Sequence, residues 1–314
     1  MEKYSFVVPA YNEEKNIGIL YDKLCNLMAE ISQNWELIFV NDGSRDRTLD
    51  ILKDLAKNDK RVKYIDLSRN FGHQAALTAG LDVCTGDAII SMDCDLQDPP
   101  EVVVKMIKKW KEGYAIVYAR RQNRQDNFLK KYTAIWYYKL LDRFASVNIP
   151  RNVADFRLID SKVLGKLGGM KEQSRYLRGM VAWLGFKYTF VDFDRPERLH
   201  GEAGYTWEKS IKLAMDGIMN FSMLPLKLGF LLGVFAIVLG TIFLSYMIFD
   251  SVFHNTRYEL IKWLTVVIFM AFGVQFILIW ILGEYVGRIY EESKDRPVYI
   301  INEKGNFDED IDVK

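Results

Sequence analysis

The sequence lacks several features that mark common protein classes. It has only three cysteines, Cys25, Cys84 and Cys94, and they show no metal-ligand spacing. An odd, widely spaced set favours reduced thiols over a disulfide framework. The formal net charge is only +1, and no basic tract is present. We therefore expect no nucleic-acid partner.

Targeting and phosphate-loop motifs are also missing. The chain enters a strand-like run at Tyr4 without a basic region followed by an apolar stretch, so no signal peptide is expected. Neither a Gly-x-Gly-x-x-Gly fingerprint nor a Gly-Lys-Ser motif occurs in the chain, which disfavours a dinucleotide fold and a P-loop. We expect residues 1 to about 200 to stay in the cytosol.

Hydrophobic residues make up 50% of the chain, and their excess lies after Leu224. Two runs without a charge, 228–249 and 263–283, each approach the roughly 20 residues that span a bilayer. They predict two transmembrane helices within 226–287. The alternative is a pair of buried helices in a soluble core.

The short loop between the two runs, 250–262, makes them a hairpin with both chain ends on one side. Basic residues flank the hairpin and predict that this side is cytoplasmic. The protein is thus expected in the cell membrane as a multi-pass protein, with a cytoplasmic tail at 288–314. From Asn302 onward this tail is acidic and is expected to be mobile.

Before Leu224, short β-branched runs alternate with helical segments. This alternation predicts an α/β domain over 1–205, with a mostly parallel sheet covered by helices on both faces. The predicted strands are 6–9, 37–41, 62–67, 88–93 and 116–119, and the predicted helices are 17–31, 48–56, 74–83 and 101–110.

Two further segments, 127–147 and 206–225, combine apolar residues at helical spacing with lysines or arginines. This pattern predicts two interfacial helices that lie on an anionic membrane surface. Packing of the same stripes against the sheet is the alternative.

Polar clusters follow three predicted strands, at 9–14, 41–44 and 93–97. Ligands of open parallel sheets bind beyond the carboxyl ends of the strands, so these clusters are expected to form one crevice. Asp93 and Asp95 can hold Mg²⁺ or Mn²⁺ together with diphosphate oxygens. The alternative for 93–95, as for 41–43, is an ordinary turn.

Two neighbouring features have structural interpretations. Asp98, Pro99 and Glu101 predict a capping box at a helix start, so Asp98 is kept out of the catalytic set. His73 is expected to be a loop or helix-start residue and not a ligand.

Five stretches together resemble one known group of enzymes. They are 7–14, 40–44, 68–74, 93–100 and 155–158. With the paired hydrophobic runs, they resemble the polyprenyl-phosphate glycosyltransferases of glycosyltransferase family 2, which include bactoprenol glucosyltransferases and dolichyl-phosphate mannose synthases.

The resemblance implies a GT-A type domain and a specific reaction. A hexose, with glucose as the first candidate, would pass with inversion from a nucleotide-sugar, UDP-linked, to polyprenyl (undecaprenyl) phosphate at the cytoplasmic membrane face. The product would serve cell-envelope glycan modification. Similar enzymes form tetramers, so a homo-oligomer is also implied.

The resemblance also implies roles for individual residues. The nucleotide pocket would be lined by Pro9, Tyr11, Glu13, Asp42 and Asp93. The metal would be surrounded by Asp93, Asp95 and Gln97. The acceptor phosphate would be held by Arg120, Arg121 and Arg124, for which a solvated charge run is the alternative. Ala203 and Gly204 replace the serine and lysine that similar enzymes carry near the donor diphosphate. Either Arg195, Arg198 or His200 would hold the donor diphosphate in their place, or the donor is held differently.

Asp155 falls where similar enzymes place the proposed catalytic base. A phosphate monoester has a second pKa near ~6 and is already largely a dianion at neutral pH, so it needs little deprotonation. Asp155 could instead orient the sugar or the attacking oxygen, or be a structural carboxylate paired with Arg157.

Two rival functions make different predictions. A processive polysaccharide synthase predicts more spans and a Gln-x-x-Arg-Trp motif, and neither is seen in the sequence. A non-catalytic sugar-binding protein that recruits a flippase predicts loss of the metal carboxylates, yet Asp93 and Asp95 are present. The sequence leaves GlcNAc and mannose open as donor sugars.

Overall fold

The structure of the protein is a computed structural model. It describes residues 2–122, 150, 153–173, 175–194, 233–235, 238–242, 245–246, 248–250, 253 and 257–307.

One eight-stranded mixed sheet organises the described residues. Its strands are β1 (Tyr4–Ala10), β2 (Trp35–Asn41), β3 (Val62–Leu67), β4 (Ala88–Ser91), β5 (Ile116–Arg121), β6 (Val153–Asp160), β7 (Tyr188–Phe193) and β8 (Ile301–Gly305). They lie in the order β7-β5-β6-β4-β1-β2-β3-β8.

Four neighbouring strands, β4, β1, β2 and β3, run parallel to one another. All residues of β1 and β2 are buried, as expected for central strands that helices cover on both faces. β6 pairs antiparallel with both β4 and β5, and β8 pairs antiparallel with β3. The predicted α/β class with a mostly parallel sheet is confirmed, and the carboxyl ends of β1 to β4 meet at one edge.

Helices connect the strands and cover the sheet. They are α1 (Ile17–Ile31), α2 (Thr48–Asn58), α3 (His73–Val83), α4 (Glu101–Lys111), α5 (Ser161–Leu167), α6 (Leu177–Trp183) and α7 (Arg257–Ser293). The helix α3 lies unusually close to β1, because a Cβ on Gly80 would be 2.3 Å from Val7 Cγ1. This close packing fixes the N-terminal end of α3 near the carboxyl edge of the sheet.

The strands and helices predicted before residue 122 are all present, and their observed ends differ from the predicted ends by at most two residues. The strands β6, β7 and β8 and the helices α5 and α6 were not predicted. In β6 the buried positions include the charged pair Asp155 and Arg157, which interrupts the apolar pattern of a strand.

The predicted second span, 263–283, lies within the helix α7. Within α7, the stretch Ala271–Ser293 is long and apolar enough to cross a membrane. No other helix among the described residues meets this criterion. The first predicted span, 228–249, is only partly described, and its described residues are helical. The interfacial helices predicted at 127–147 and 206–225 lie outside the described residues. The two-helix hairpin therefore remains a prediction.

The prediction of a mobile tail from Asn302 is wrong for residues 302–307, because β8 and the residues after it pack on the edge of the sheet. The strand is polar and covers only the sheet edge, so its sequence lacks the apolar alternation that marks a half-buried strand. Residues 308–314 lie outside the described part of the chain.

The predicted capping box at Asp98 is also wrong. The helix α4 begins at Glu101, and the residue before it, Pro100, makes no side-chain cap. Asp98 instead turns inward and accepts a hydrogen bond from the Asp93 backbone N–H at 3.0 Å. Its side chain therefore stabilises the loop after β4.

Candidate active site

The loops after β1 and β2 are joined by reciprocal hydrogen bonds. The Asn12 backbone N–H donates to Ser44 Oγ at 2.9 Å, and the Arg45 backbone N–H donates to Asn12 Oδ1 at 2.8 Å. Asn12 has a φ of 56°, a left-handed conformation that asparagine tolerates better than most residues. These bonds fix the loop that carries Tyr11 and Glu13.

The structure brings the predicted nucleotide-pocket residues to one edge of the sheet. Pro9 lies in the last part of β1, and Tyr11 follows it with an exposed ring. Glu13 accepts a hydrogen bond from Asn16 Nδ2 at 2.6 Å. Asp42 directly follows β2, and its backbone N–H donates to Ala10 O at 2.9 Å.

The Asp42 carboxylate holds the loop that follows β3. Its Oδ1 accepts from the Phe71 N–H at 2.7 Å and its Oδ2 from the Gly72 N–H at 3.0 Å. Burial raises the pKa of Asp42, although these two N–H groups oppose the rise. The adjacent Gly43 has a φ of +65°, and a Cβ there would lie 2.6 Å from the Arg69 carbonyl carbon. Asp42 and Gly43 therefore fix the chain just before α3 begins.

The loop after β4 carries the predicted metal ligands. Asp95 is largely buried, and its Oδ1 accepts from the Gln97 backbone N–H at 3.1 Å. Leu96, between them, has a φ of 60°, which is costly for a branched side chain. Asp93 is more open, with 31% of its side chain exposed. The loop is thus held in one shape with the Asp93 carboxylate at its surface.

Asp98 lies beneath this loop and is 1% exposed. Burial and the nearby charge of Asp93 raise the pKa of Asp98 to about 7, although the Asp93 N–H and the positive charge of Arg121 oppose the rise. Within the described residues, its Oδ1 has no hydrogen-bond partner.

A buried cluster of charges surrounds Asp155 on β6. Asp155 is 3% exposed and accepts from Arg157 Nη2 at 3.0 Å, Arg178 Nη2 at 3.1 Å and Gln74 Nε2 at 3.1 Å. His73 Nε2 lies 3.4 Å from Asp155 Oδ2 and 3.6 Å from Asp93 Oδ1. His73 therefore joins the Asp155 cluster to the predicted metal loop.

The electrostatics of this cluster are dominated by its ion pairs. Burial alone would raise the pKa of Asp155, but Arg178, His73 and Arg157 outweigh it and hold that pKa well below its usual range. Burial would lower the pKa of His73, yet Asp155 and Asp93 raise it to about 9. At neutral pH the cluster holds an ionised carboxylate and an imidazolium.

The predicted phosphate ligands fall into different surroundings. Arg120 binds Asp192 through two hydrogen bonds, at 2.6 and 3.0 Å, and its guanidinium stacks on Phe190. Arg121 is half-buried at the end of β5, and its positive charge opposes the rise in the pKa of Asp98. Arg124, Arg195, Arg198 and His200 lie outside the described residues.

Sequence reasoning missed three residues of the Asp155 cluster. His73 and Gln74 open α3, and the parallel topology that puts helix starts at the carboxyl edge could have indicated them. Arg178 belongs to no recognised motif. It reaches the site because the Leu177 backbone N–H donates to Gln74 Oε1 at 3.0 Å, across 103 residues of chain.

The donor atoms present fit a divalent cation that a substrate completes. Among the described residues, no group of three or more His, Cys, Asp or Glu side chains is arranged to hold a metal. Asp93, Asp95 and Gln97 offer two carboxylates and one amide oxygen. Mg²⁺ sites are commonly built from one or two carboxylates plus substrate phosphates, so this set suits a hard cation bound with a diphosphate.

Comparisons with known proteins identify the family of the chain. The sequence profile described as glycosyl transferase family 2 matches residues 5–168. An uncharacterized glycosyltransferase of Bacillus subtilis is 45% identical over 300 residues, covering 95% of this chain and 93% of the relative. A bactoprenol glucosyl transferase of Shigella phage SfV is 40% identical over 305 residues, covering 96% of this chain and 99% of the relative.

Among solved structures, mannosyl-3-phosphoglycerate synthase from Rubrobacter xylanophilus superposes with a TM-score of 0.48 at 14% identity, covering 69% of this chain and 72% of that chain. The family match extends from β1 through α5, and the sequence relatives extend over nearly the whole chain, including the helix α7. The chain belongs to glycosyltransferase family 2, with a GT-A-like α/β domain, in the group that includes the bactoprenol glucosyl transferases.

Proposed function

We propose that this protein transfers glucose from UDP-glucose to polyprenyl phosphate, with inversion, at the cytoplasmic face of the membrane. The observation that carries the proposal is the contact of His73 with both Asp93 and Asp155, which joins a cation-binding loop to a buried cationic cluster. A diphosphate donor and a phosphate acceptor need such neighbouring positive charges. The similarity to bactoprenol glucosyl transferases supports glucose as the sugar and a polyprenyl phosphate as the acceptor lipid.

Asp155 acts in this proposal as a positioning residue. A carboxylate whose pKa lies well below its usual range is a weak base, and the acceptor phosphate arrives largely as a dianion. Asp155 instead holds His73 and Arg178 at the edge of the crevice. Arg178 keeps 22% of its side chain exposed, so its guanidinium can also reach a phosphate oxygen.

The reaction is a single displacement. A non-bridging oxygen of the lipid phosphate forms a bond to the anomeric carbon, while the bond from that carbon to the diphosphate oxygen breaks. The electron pair leaves with the nucleoside diphosphate, and no proton transfer is needed to balance the step. Positioning and electrostatic stabilisation supply the acceleration.

The chain's own residues divide the remaining tasks. Asp93, Asp95 and Gln97 would hold Mg²⁺ or Mn²⁺, which when bound would offset the charge of the diphosphate. Tyr11 and Glu13, with Pro9 and Asp42 behind them, would form the wall against the nucleotide.

Arginines would bind the two phosphate groups. Arg121 and Arg124 join Arg178 on the acceptor phosphate, and Arg120 remains the partner of Asp192. Arg195, Arg198 and His200 would hold the donor diphosphate in place of the serine and lysine that Ala203 and Gly204 replace.

The membrane arrangement follows from the acceptor. The proposed hairpin, 228–249 and 263–283, anchors the catalytic domain, and interfacial helices at 127–147 and 206–225 bring it to the headgroup level. The return of β8 to the catalytic sheet supports the placement of the C-terminal end of α7 on the same side as the active site. That side is proposed to be cytoplasmic, and the assembly is proposed to be a homo-oligomer.

The test is a transfer assay with the full chain in membranes. Membranes are incubated with polyprenyl phosphate, Mn²⁺ or Mg²⁺ and a panel of labelled nucleotide-sugars that includes UDP-glucose, UDP-GlcNAc and GDP-mannose. We expect lipid-linked glucose from UDP-glucose and no product after chelation of the cation. A product from another donor would overturn the sugar assignment, and no product from any donor would overturn the enzyme assignment.

A further inference from the structure

The strand β8, which follows the candidate membrane helix, contains a β-bulge at the carboxyl edge of the sheet. Leu67 pairs with Ile301 and Asp66 pairs with Glu303, so Asn302 is an extra residue between two pairs. A bulge of this kind turns a side chain away from its regular direction. Here the Asn302 Nδ2 donates to Asp66 Oδ2 at 2.8 Å.

We propose that Asn302 is a positioning residue for the nucleotide pocket, so that the segment after α7 helps to shape the donor site. The inference rests on the proposed function for the identity of the ligand, a nucleoside diphosphate. The connection between Asn302 and the pocket rests on the hydrogen bonds described next.

A continuous chain of hydrogen bonds leads from Asn302 to the loop after β1. Asp66, which is 5% exposed, accepts from Asn302 on one oxygen and from Asn41 Nδ2 at 2.6 Å on the other. Asn41 Oδ1 in turn accepts from the Ser44 N–H at 3.3 Å. Ser44 Oγ then accepts from the Asn12 N–H at 2.9 Å. Each link fixes the orientation of the next group.

The chain ends at the residues proposed to contact the nucleotide. Asn12 lies between Tyr11 and Glu13, and Asn41 directly precedes Asp42. Asp66 is therefore a buried charge whose two oxygens connect the tail to both loops of the pocket. Loss of the Asn302 donor leaves one oxygen of Asp66 free to attract another donor, and this competes with its bond to Asn41.

The same tail also has a contact that stabilises the fold far from the pocket. Asn306 Nδ2 donates to the carbonyl oxygens of Val62 at 2.8 Å and Ala56, which lie at the opposite end of β3 and in α2. Asn302 and Asn306 thus belong to one segment and one residue type, yet only Asn302 lies at the carboxyl edge. Asn306 is the matched control.

The tail continues directly from α7. Glu292, at the end of α7, accepts from the Gln173 backbone N–H at 2.8 Å, in the loop that precedes α6. Tyr299 donates to Asp82 Oδ2 at 2.9 Å, in α3. Two further hydrogen bonds therefore hold the segment between α7 and Asn302 against the domain, and they help to fix the position of Asn302 beside β3.

The experiment measures binding of UDP to the full chain in detergent with Mn²⁺, by calorimetry, together with thermal unfolding. We expect Asn302→Ala to raise the Kd of UDP roughly three- to tenfold, a modest effect because Asn302 is exposed and water can replace part of its bond. Asn306→Ala should lower the unfolding temperature without changing that Kd. Equal Kd values for Asn302→Ala and the native protein would overturn the inference, as would an equal rise in Asn306→Ala.

An exchange of partners tests the bond itself. Asn302→Asp alone places two carboxylates together and should weaken UDP binding further than Asn302→Ala. Combining it with Asp66→Asn restores a donor and an acceptor at the same positions, and should return the Kd to within about twofold of the native value. Failure of the pair to recover binding would overturn the inference. Failure of the proposed function would show separately, as absence of lipid-linked sugar with the native protein.

Discussion

The carboxylates on β6 and after β4 both lie next to His73 but have opposite surroundings. Asp155 is buried and bound by Arg157, Arg178 and Gln74, with His73 beside it. Asp93 keeps 31% of its side chain exposed, and its backbone N–H donates a hydrogen bond to the buried Asp98. The protein itself neutralises the first charge and presents the second to a ligand. The difference separates residues that organise the site from those proposed to bind the cation.

The largest expected effect is on transfer activity in Asp95→Asn. We expect kcat/KM to fall by roughly 10²-fold or more, because one charged ligand of the proposed cation is lost where the diphosphate charge develops. The measurement is the lipid-linked glucose assay at several Mn²⁺ concentrations. The control is Asp87→Asn, just before the opposite end of β4, where the side chain accepts only from the Lys3 backbone N–H among the hydrogen bonds described. Equal losses in the two variants would contradict the metal assignment.

Asp155→Asn should chiefly reduce stability. It leaves the buried guanidinium of Arg157 without its carboxylate, and breaking a buried ion pair costs about 3–5 kcal/mol of the free energy of unfolding. Denaturant unfolding in detergent at pH 7 checks this value. A small loss of stability combined with a complete loss of activity would instead favour Asp155 as the catalytic base.

The pH dependence of the free energy of unfolding should reveal the protonation of His73. Its pKa rises from 6.5 to about 9 on folding, so its stabilisation is fully present below pH 6.5 and is lost as the pH rises through about 9. Asp155 has a lowered pKa, so its contribution is lost only as the pH falls through acidic values and stays constant in this window. The two groups therefore titrate on opposite sides of neutral pH.

At pH 6 we expect the free energy of unfolding of the native protein to exceed that of His73→Asn by about 2 kcal/mol. The raised pKa of His73 causes this difference, and solvent screening at a 30% exposed side chain keeps it below the full value of the shift. The difference should vanish by about pH 10. Unfolding is measured with a chelator present, since a bound cation would compete with the imidazolium for Asp93. A difference that is independent of pH would contradict the imidazolium.

The smallest effect is expected at the surface ion pair of Arg120 and Asp192. Both side chains are partly exposed, so Asp192→Asn should change the free energy of unfolding by less than about 1 kcal/mol. The same variant removes the carboxylate that pairs with Arg120, so it also tests whether Arg120 can bind the acceptor phosphate. An unchanged KM for polyprenyl phosphate would favour a structural role, and a clear decrease would favour binding of the phosphate.

The parallel half of the fold was predictable because its signals are local. Strands such as Val62–Leu67 and helices such as Ile17–Ile31 carry their own periodicity and turn residues. The clustering of Asp42 and Asp93 followed from the topology rule for parallel sheets. The antiparallel strand β6 was missed because it buries Asp155 and Arg157, which resemble surface residues until their mutual pairing is known.

The organisation of the candidate site was less predictable, since it depends on contacts between distant segments. Arg178 reaches Asp155 from a helix without a motif, and Asn302 reaches Asp66 across 236 residues. His73 was assigned to a helix start correctly, but its position between two carboxylates needs the packing of α3 on β1. Patterns of residue type do not contain such distances.

The late position of β8 in the chain has a consequence for biosynthesis. Its partner β3 leaves the ribosome 236 residues before Asn302 does, an interval of roughly 10–50 s at usual elongation rates. The catalytic sheet therefore gains its last strand only after α7 has been synthesised. Completion of the sheet edge thus waits for the synthesis of α7, the candidate membrane helix, and a chain interrupted before α7 is complete would carry β3 as an uncovered, aggregation-prone edge.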